Sequence, residues 1–511
     1  MKLQGSKLII RNTGILYAKT FITMGISLYS TRLILNALGT TDFGIFSLIG
    51  GIITMLTFFN NAMTQATQRF LNFNLGSGNI EKLRQIFNAS ALLHLIIGVL
   101  VVIIIELTGL WGFDYFLNIP IEKLYAAKMV FHFIVISTFF TIISVPYDGI
   151  INAHEHMLFD SILGIIQALG ILSIAISMQY FASDKLVWYG AFMAALTIVL
   201  LIIRRVYCRI QYQESKLNFA KHLNKVTLRE MITYSKYTLM GAITSMFGAW
   251  GVTVLINKFF GPKLNATHGV AIQVNGQILV FSNGLVKAIS PQITKSEGSG
   301  QRQRMFELAQ AGAKFSYILL AIFAIPFILE APFILKIWLK EPPVYASLFC
   351  QFALIVSLLG QLSLPLANMV NAHGNIKALT FYSSIVFILI LPLVLTFYYF
   401  GFPVFCFYFI QIINEIVLLI IRLYYAKKVL NYTFSLFKTN VLRPVIIITI
   451  PTMLLGILTQ STIDVGFVRL IIVTTVTTLT FVSATYIWGL KENEKLILNK
   501  IFSKYLKTIK Q

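Results

Sequence analysis

The chain has 511 residues, of which 57% are hydrophobic and only 12% charged, with a mean hydropathy of +0.79. Soluble domains carry roughly 45–50% apolar and about 25% charged residues, so a water-soluble globule is excluded and a bilayer is the expected solvent. The net charge of +22 does not point to nucleic acid, because the basic residues gather in alternate loops between apolar segments, as membrane topology requires.

Crossing ~30 Å of hydrocarbon takes about 20 apolar helical residues, and about fourteen such segments follow one another along the chain. They lie near 11–36, 43–72, 84–108, 124–150, 156–182, 186–208, 230–257, 266–290, 307–331, 344–370, 376–400, 403–427, 441–461 and 467–489. Long continuous apolar runs read as helices rather than barrel strands, so the expected fold class is an all-α polytopic membrane protein. The first segment follows a few basic residues, but it is about 25 residues long and lacks a small-residue cleavage site. It therefore reads as a retained span and not a signal peptide.

That first segment carries Lys19, on one face with Thr23 and Ser30, and Arg32. In the second, Thr54, Thr57, Asn60, Asn61, Thr64, Gln65 and Gln68 fall on an arc of roughly 140° at about 100° per residue, a polar stripe through an apolar span. Such a stripe would be costly against lipid, so it faces either a neighbouring helix or a water-lined cavity. The fourth segment ends near Asp148, and Lys236 lies in the seventh. The eighth carries Gln273, Asn275, Gln277, Asn283 and Lys287, the ninth Lys314, and the twelfth Glu415. A cation at mid-bilayer costs at least about 2.5 kcal/mol on insertion scales, so Lys19, Arg32, Lys236, Lys287 and Lys314 are candidates to meet an anionic substrate. The competing reading is that their long side chains reach the interface. Glu415 and Asp148 are the ion-coupling candidates, for H+ or Na+, while Glu106 and Glu330 lie close to the outer interface. Glu415 stands seven positions before Arg422, two turns along one face, and a structural pair there is an equal alternative.

Basic residues are dense before the first segment, at 204–229, at 422–443 and from Lys491 to Lys510, and sparse on the alternate side. This sets both termini in the cytosol. Cys208, Cys350 and Cys406 form neither a metal spacing nor a disulfide framework. No metal or other cofactor is expected. In the tail, Leu498, Ile501, Phe502, Tyr505 and Ile509 recur at helical spacing with lysines elsewhere on the wheel, as in a helix that lies on anionic inner-leaflet lipid.

The chain is duplicated. Ser144, Pro146, Asn152, Ala153 and His154 recur 219 positions later as Ser363, Pro365, Asn371, Ala372 and His373. Gly39, Asn61, Ala66, Gly76, Ser77 and Gly78 recur 222 positions later as Gly261, Asn283, Ala288, Gly298, Ser299 and Gly300. The expected organisation is an N-lobe of six helices over 1–210, a basic cytosolic linker over 211–229, and a C-lobe of six over 230–430. Two added helices follow over 431–490, then an amphipathic tail over 491–511. Repeated bundles suit a transporter that rocks one half against the other. The Asn-Ala-His repeats read as helix-end turn chemistry, with a titrating gate as the alternative.

Six plus six plus two helices, the opening stretch Arg32 to Gly44 (RLILNALGTTDFG), and a polar second helix followed by Gly76, Ser77 and Gly78 together mark a resemblance. The chain resembles the polysaccharide-transporter branch of the multidrug/oligosaccharidyl-lipid/polysaccharide (MOP) flippase superfamily and is most similar to Wzx-type flippases of O-antigen, lipopolysaccharide and other surface glycans. The resemblance implies a V-shaped pair of lobes in the bacterial inner membrane. The implied substrate is undecaprenyl pyrophosphate carrying an oligosaccharide, moved to the outer leaflet by alternating access, with glycan polymerase and chain-length machinery as partners. The polar and basic residues Lys19, Arg32, Asn60, Asn61, Gln65, Gln68, Gln273, Gln277 and Lys287 would then line the pyrophosphate and glycan lumen. A MATE-like cation or drug exporter and a lipid II flippase of peptidoglycan synthesis are the alternatives. An enzyme is not expected, since no G-x-S-x-G, H-E-x-x-H or phosphate-cradling glycine loop occurs. Nothing resembles a channel filter either.

Overall fold

The computed structural model describes residues 2–54, 57–115, 121–181, 184–339, 342–496 and 499. For 2–10, 28, 31–32, 35, 40–41, 43–44, 47–48, 50–54, 57–63, 108, 110–115, 250, 257, 262–263 and 265–266 it describes the backbone alone. Every regular element among these residues is helical. In chain order they are α1 (Lys2–Thr54), α2 (Thr57–Ser77), α3 (Ile80–Tyr115), α4 (Leu124–Ala153), α5 (Met157–Ser177), α6 (Lys185–Gln211), the short α7 (Phe219–His222) and α8 (Lys225–Gly298). Then follow α9 (Arg302–Leu339), α10 (Ala346–His373), α11 (Lys377–Tyr399), α12 (Cys406–Leu430), the short α13 (Phe434–Phe437), α14 (Arg443–Thr462) and α15 (Phe467–Ala484). Twelve helices among the described residues are long and apolar enough to cross a membrane, so the protein is a multi-pass integral membrane protein. The expected spans near 11–36 and 43–72 lie on α1 and α2, beside those twelve. The expected surface helix of the tail falls largely on residues outside the described ones.

The length of α1 and α8 is deceptive, because each is two helices joined at one glycine. Gly39 holds φ 79° and ψ 169°, and Gly261, its repeat mate, φ 80° and ψ 178°. Those angles lie in a region open to glycine at little cost and closed to residues with a Cβ. The duplication is therefore kept at the level of single dihedral angles. The repeated prolines act alike as well. Pro146 in α4 and Pro365 in α10 each break the helical ladder, and the serine two residues before each donates to the carbonyl three residues back, Ser144 to Thr141 (2.8 Å) and Ser363 to Gly360 (3.3 Å).

The chain divides into two compact units. Unit 1 holds Met1–Ile243 and Thr294–Arg302; unit 2 holds Thr244–Ile293 and Gln303–Gln511. In unit 1, Ile45 and Ile49 pack with Val101, Ile105, Ala127, Val130 and Val135 of α3 and α4. In unit 2, Val252, Ile256 and Ala271 pack with Phe349, Cys350, Val394 and Phe407. Outside these cores the helices stay apolar. On α3, Leu95, Ile96, Val99, Leu100, Ile103, Ile104 and Leu107 are all exposed, a stripe that only lipid would cover without penalty.

Candidate functional site

In unit 2 the second half of α8 separates its residues cleanly by face. Ala271, Val274, Ser282, Leu285, Ala288 and Ile289 are buried in the unit's core. Gln273, Gly276, Gln277, Asn283 and Lys287 are exposed on the opposite side, within an arc of roughly 120° at about 100° per residue. Three side-chain amides and an ammonium in lipid would each carry a substantial penalty, so this face is built for water or for a polar ligand. The amides offer both donors and acceptors, and Lys287 supplies a point charge for an anion. Asn275, expected on the same wall, turns instead toward α10, where it accepts from Ser357 Oγ at 2.8 Å. Its role is helix packing.

In unit 1 the corresponding stretch of α2 shows Gln65 exposed and Thr64 and Gln68 half-buried. Thr67 packs inward, its hydroxyl 2.9 Å from that of Ser90 on α3. The Arg69 guanidinium lies over the rings of Phe70, Phe73 and Tyr234, 4.8–5.3 Å from their centroids. Arg32, Asn60 and Asn61 lie among residues whose side chains are outside the described ones.

Of the other expected charges, Lys19, Asp148 and Lys314 are engaged inside their own units. Lys19 Nζ donates to Asp160 Oδ2 of α5 at 3.2 Å, and its aliphatic stem fills the space left by Gly164. Arg204 of α6 meets Asp148 at 2.7 Å, and Ser144 donates to the same carboxylate at 3.2 Å. In unit 2, Arg422 of α12 donates to Ser363 Oγ. Glu415 lies on the same helix, beside Gly360 of α10 and within electrostatic reach of Arg422. Lys314 is only 2% exposed and holds Glu494 at 2.5 Å and the Gly489 carbonyl at 3.1 Å. Lys236 and Lys287 are exposed.

Sequence reasoning missed the partners Asp160 and Glu494, and also the buried pair Arg469–Glu330 at 3.0 Å. It missed as well the cluster at the turn between α4 and α5. There His154 Nε2 is 2.6 Å from Glu214 and its ring stacks on Tyr212, with centroids 4.3 Å apart. His156 Nδ1 stands 2.9 Å from the Tyr207 hydroxyl and 2.7 Å from that of Tyr212. Burial, then the neighbouring His154, Arg11 and Lys295, hold His156 below the usual imidazole range. Burial alone would raise the Glu214 carboxyl, but the hydrogen bonds from His154 and the backbone bring it below the usual carboxylate range. The repeated Asn-Ala-His motif was the available signal for this turn. Among the described residues no group of three or more His, Cys, Asp or Glu is placed to hold a metal ion.

Among the described residues, an all-helical, multi-pass chain with a polar face on one of its helices is a membrane protein of the kind that transporters build from repeated bundles. The MatE family model matches it twice, at residues 18–178 and 238–396, more than half of the chain in all, once in each repeat. The chain belongs to the MatE family. No curated protein matches it. Among solved structures it is similar to an outward-facing multidrug resistance MATE family transporter of the MOP superfamily, at 12% identity, covering 84% of this chain and 96% of that one with a TM-score of 0.68. It is similar also to a MATE transporter in the straight conformation (12% identity, 85% and 97% coverage, TM-score 0.67). A third is a MOP superfamily transporter from Pyrococcus furiosus, described as having a binding pocket of reversed polarity that suggests a different function (13%, 84% and 97%, TM-score 0.65). At these identities the likeness is one of fold.

Proposed function

We propose that this MatE-family transporter is a flippase that moves an undecaprenyl-pyrophosphate-linked oligosaccharide from the inner to the outer leaflet of the bacterial cytoplasmic membrane, with both termini in the cytosol. The observation that carries this reading is the exposed face of α8, where Gln273, Gln277 and Asn283 run down to Lys287. A glycan offers hydroxyls to amides, and a pyrophosphate needs a cation to leave water. Gln65 and Gln68 of α2, with Arg32, Asn60 and Asn61, extend the same chemistry in the first repeat. Glu415, a span carboxylate beside Gly360 and within electrostatic reach of Arg422, is the group proposed to carry H+ or Na+; Asp148 is the weaker candidate because Arg204 and Ser144 already engage it. A cation exporter is the second reading, favoured by the family match and by the multidrug transporter among the structural relatives. Polymerase and chain-length enzymes are the proposed partners.

The test uses the three native cysteines, all buried, as a silent background. Lys287→Cys in vesicles should react with a water-soluble maleimide, and polyprenyl-pyrophosphate oligosaccharide should slow the reaction while ethidium leaves it unchanged. Protection by ethidium alone would transfer the protein to the exporters.

A further inference from the structure

The turn between α4 and α5 holds Glu155 at φ 60°, in the left-handed region. Its repeat mate 219 positions on is Gly374, at φ 95°. The turn thus asks for glycine, and the first repeat places a carboxylate there against backbone preference. That carboxylate, on a residue 3% exposed, meets Lys295 Nζ at 2.5 Å, while Asn12 Nδ2 of α1 donates to the Glu155 carbonyl at 3.3 Å. Lys295 is equally particular to one repeat, because its mate 222 positions earlier is Phe73. The duplication acts as an internal control: the same fold is built in the other copy with neither charge.

The surroundings are cationic. Arg11 of α1 is exposed, and it, Lys295 and His154 all act electrostatically on His156, with Glu155 as the opposing charge. Glu214 is already taken by His154. The Lys295 side chain is 24% exposed, so an anion from water can reach it. Its position also has a mechanical consequence. Thr294–Arg302 packs in unit 1 although Thr244–Ile293, just before it on the same helix, packs in unit 2. Gly76 of α2 lies so close to the Lys295 backbone that no side chain fits there, and Gly298 lies equally close to the Phe73 backbone. What happens at Lys295 therefore acts on a tightly seated segment.

We infer that Lys295 and Arg11 form a capture site for a phosphate or pyrophosphate group at the end of unit 1 that carries the α4–α5 turn, and that Glu155 is a built-in stand-in which the arriving anion displaces. The source of that anion, a polyprenyl-pyrophosphate headgroup, rests on the flippase reading. Inorganic pyrophosphate is the probe, titrated calorimetrically into the purified full-length protein at fixed ionic strength. Removing the competing carboxylate in Glu155→Gln should tighten binding about tenfold, and Lys295→Gln should weaken it by at least about tenfold, with Lys295→Arg retaining it. Glu155→Gly guards against a folding defect, because it copies Gly374 and suits the turn; it should tighten binding as Glu155→Gln does. Unchanged affinity in both Glu155 variants, or undiminished affinity in Lys295→Gln, overturns the site. Nanodiscs then identify the source. Polyprenyl pyrophosphate should compete with inorganic pyrophosphate, whereas equal competition by phosphatidylglycerol would overturn the assignment to that headgroup. Glycolipid transport that persists with binding indifferent to Lys295 would sink this site and leave the flippase reading standing.

Discussion

The two repeats secure the same joint with differently placed carboxylates. In unit 1, Arg204 of α6 reaches Ser144 of α4 through Asp148, which bonds both. In unit 2, Arg422 of α12 donates to Ser363 of α10 directly, and the position matching Asp148 is Ala367. The nearby acid is Glu415, on the arginine's own helix. An arginine tied to the serine beside a helix-breaking proline, directly or through a carboxylate, is thus common to both repeats, and the carboxylate's place is adjustable. Where it bridges, as Asp148 does, it joins the two helices; where the arginine reaches the serine without it, as at Glu415, it is the carboxylate we propose for coupling chemistry.

The largest effect should come from breaking the joint itself. Arg422→Ala strands Glu415 among apolar helices and should lower stability by about 3 kcal/mol, read as thermal unfolding in detergent. Arg204→Ala, at a partly exposed pair, should lose only about 1 kcal/mol. Equal losses would show that the two joints are not built differently. Transport comes next. Glu415→Gln should reduce ion-driven glycolipid movement by at least about tenfold, the loss of a protonatable or cation-binding carboxylate, while Asp148→Asn should preserve its dependence on the ion gradient. A gradient dependence lost in Asp148→Asn and kept in Glu415→Gln would reverse the comparison. Lys287→Ala should then raise the half-saturating glycolipid concentration about tenfold, as expected for one charge-assisted contact.

The smallest effect is a pH dependence confined to unit 1. Since His156 is held below its unfolded value near 6.5, the unfolded chain binds the proton more readily, so stability is complete above that value and falls as pH drops from about 7 toward 5. His156→Gln should flatten that part of the melting-temperature profile. His373, in the matching turn of unit 2, serves as the control, and His373→Gln should leave the same slope in place.

Much of this was legible from residue spacing alone. Apolar run lengths located the helices, and the repeat paired Gly39 with Gly261, although only the dihedral angles disclose the break that the two share. The polar face of α8 was also visible, since a helix repeats at about 3.6 residues and its faces can be drawn without knowing what they meet. What a face meets across space is the part that spacing cannot encode. Lys19 finds Asp160, 141 positions away, and Lys314 finds Glu494, 180 away. Both lysines looked like isolated membrane charges until the fold supplied partners. Asn275 is the opposite case: at about 100° per residue it stands roughly 140° from the centre of the stripe, so spacing alone already turns it away, and the fold gives it Ser357.

The most direct test of the account is transport in proteoliposomes that hold a short-chain polyprenyl-pyrophosphate oligosaccharide and ethidium together, so that both substrates meet the same protein under the same gradient. The account predicts that the glycolipid crosses between leaflets and that ethidium stays where it was loaded. Ethidium efflux with a stationary glycolipid would contradict it.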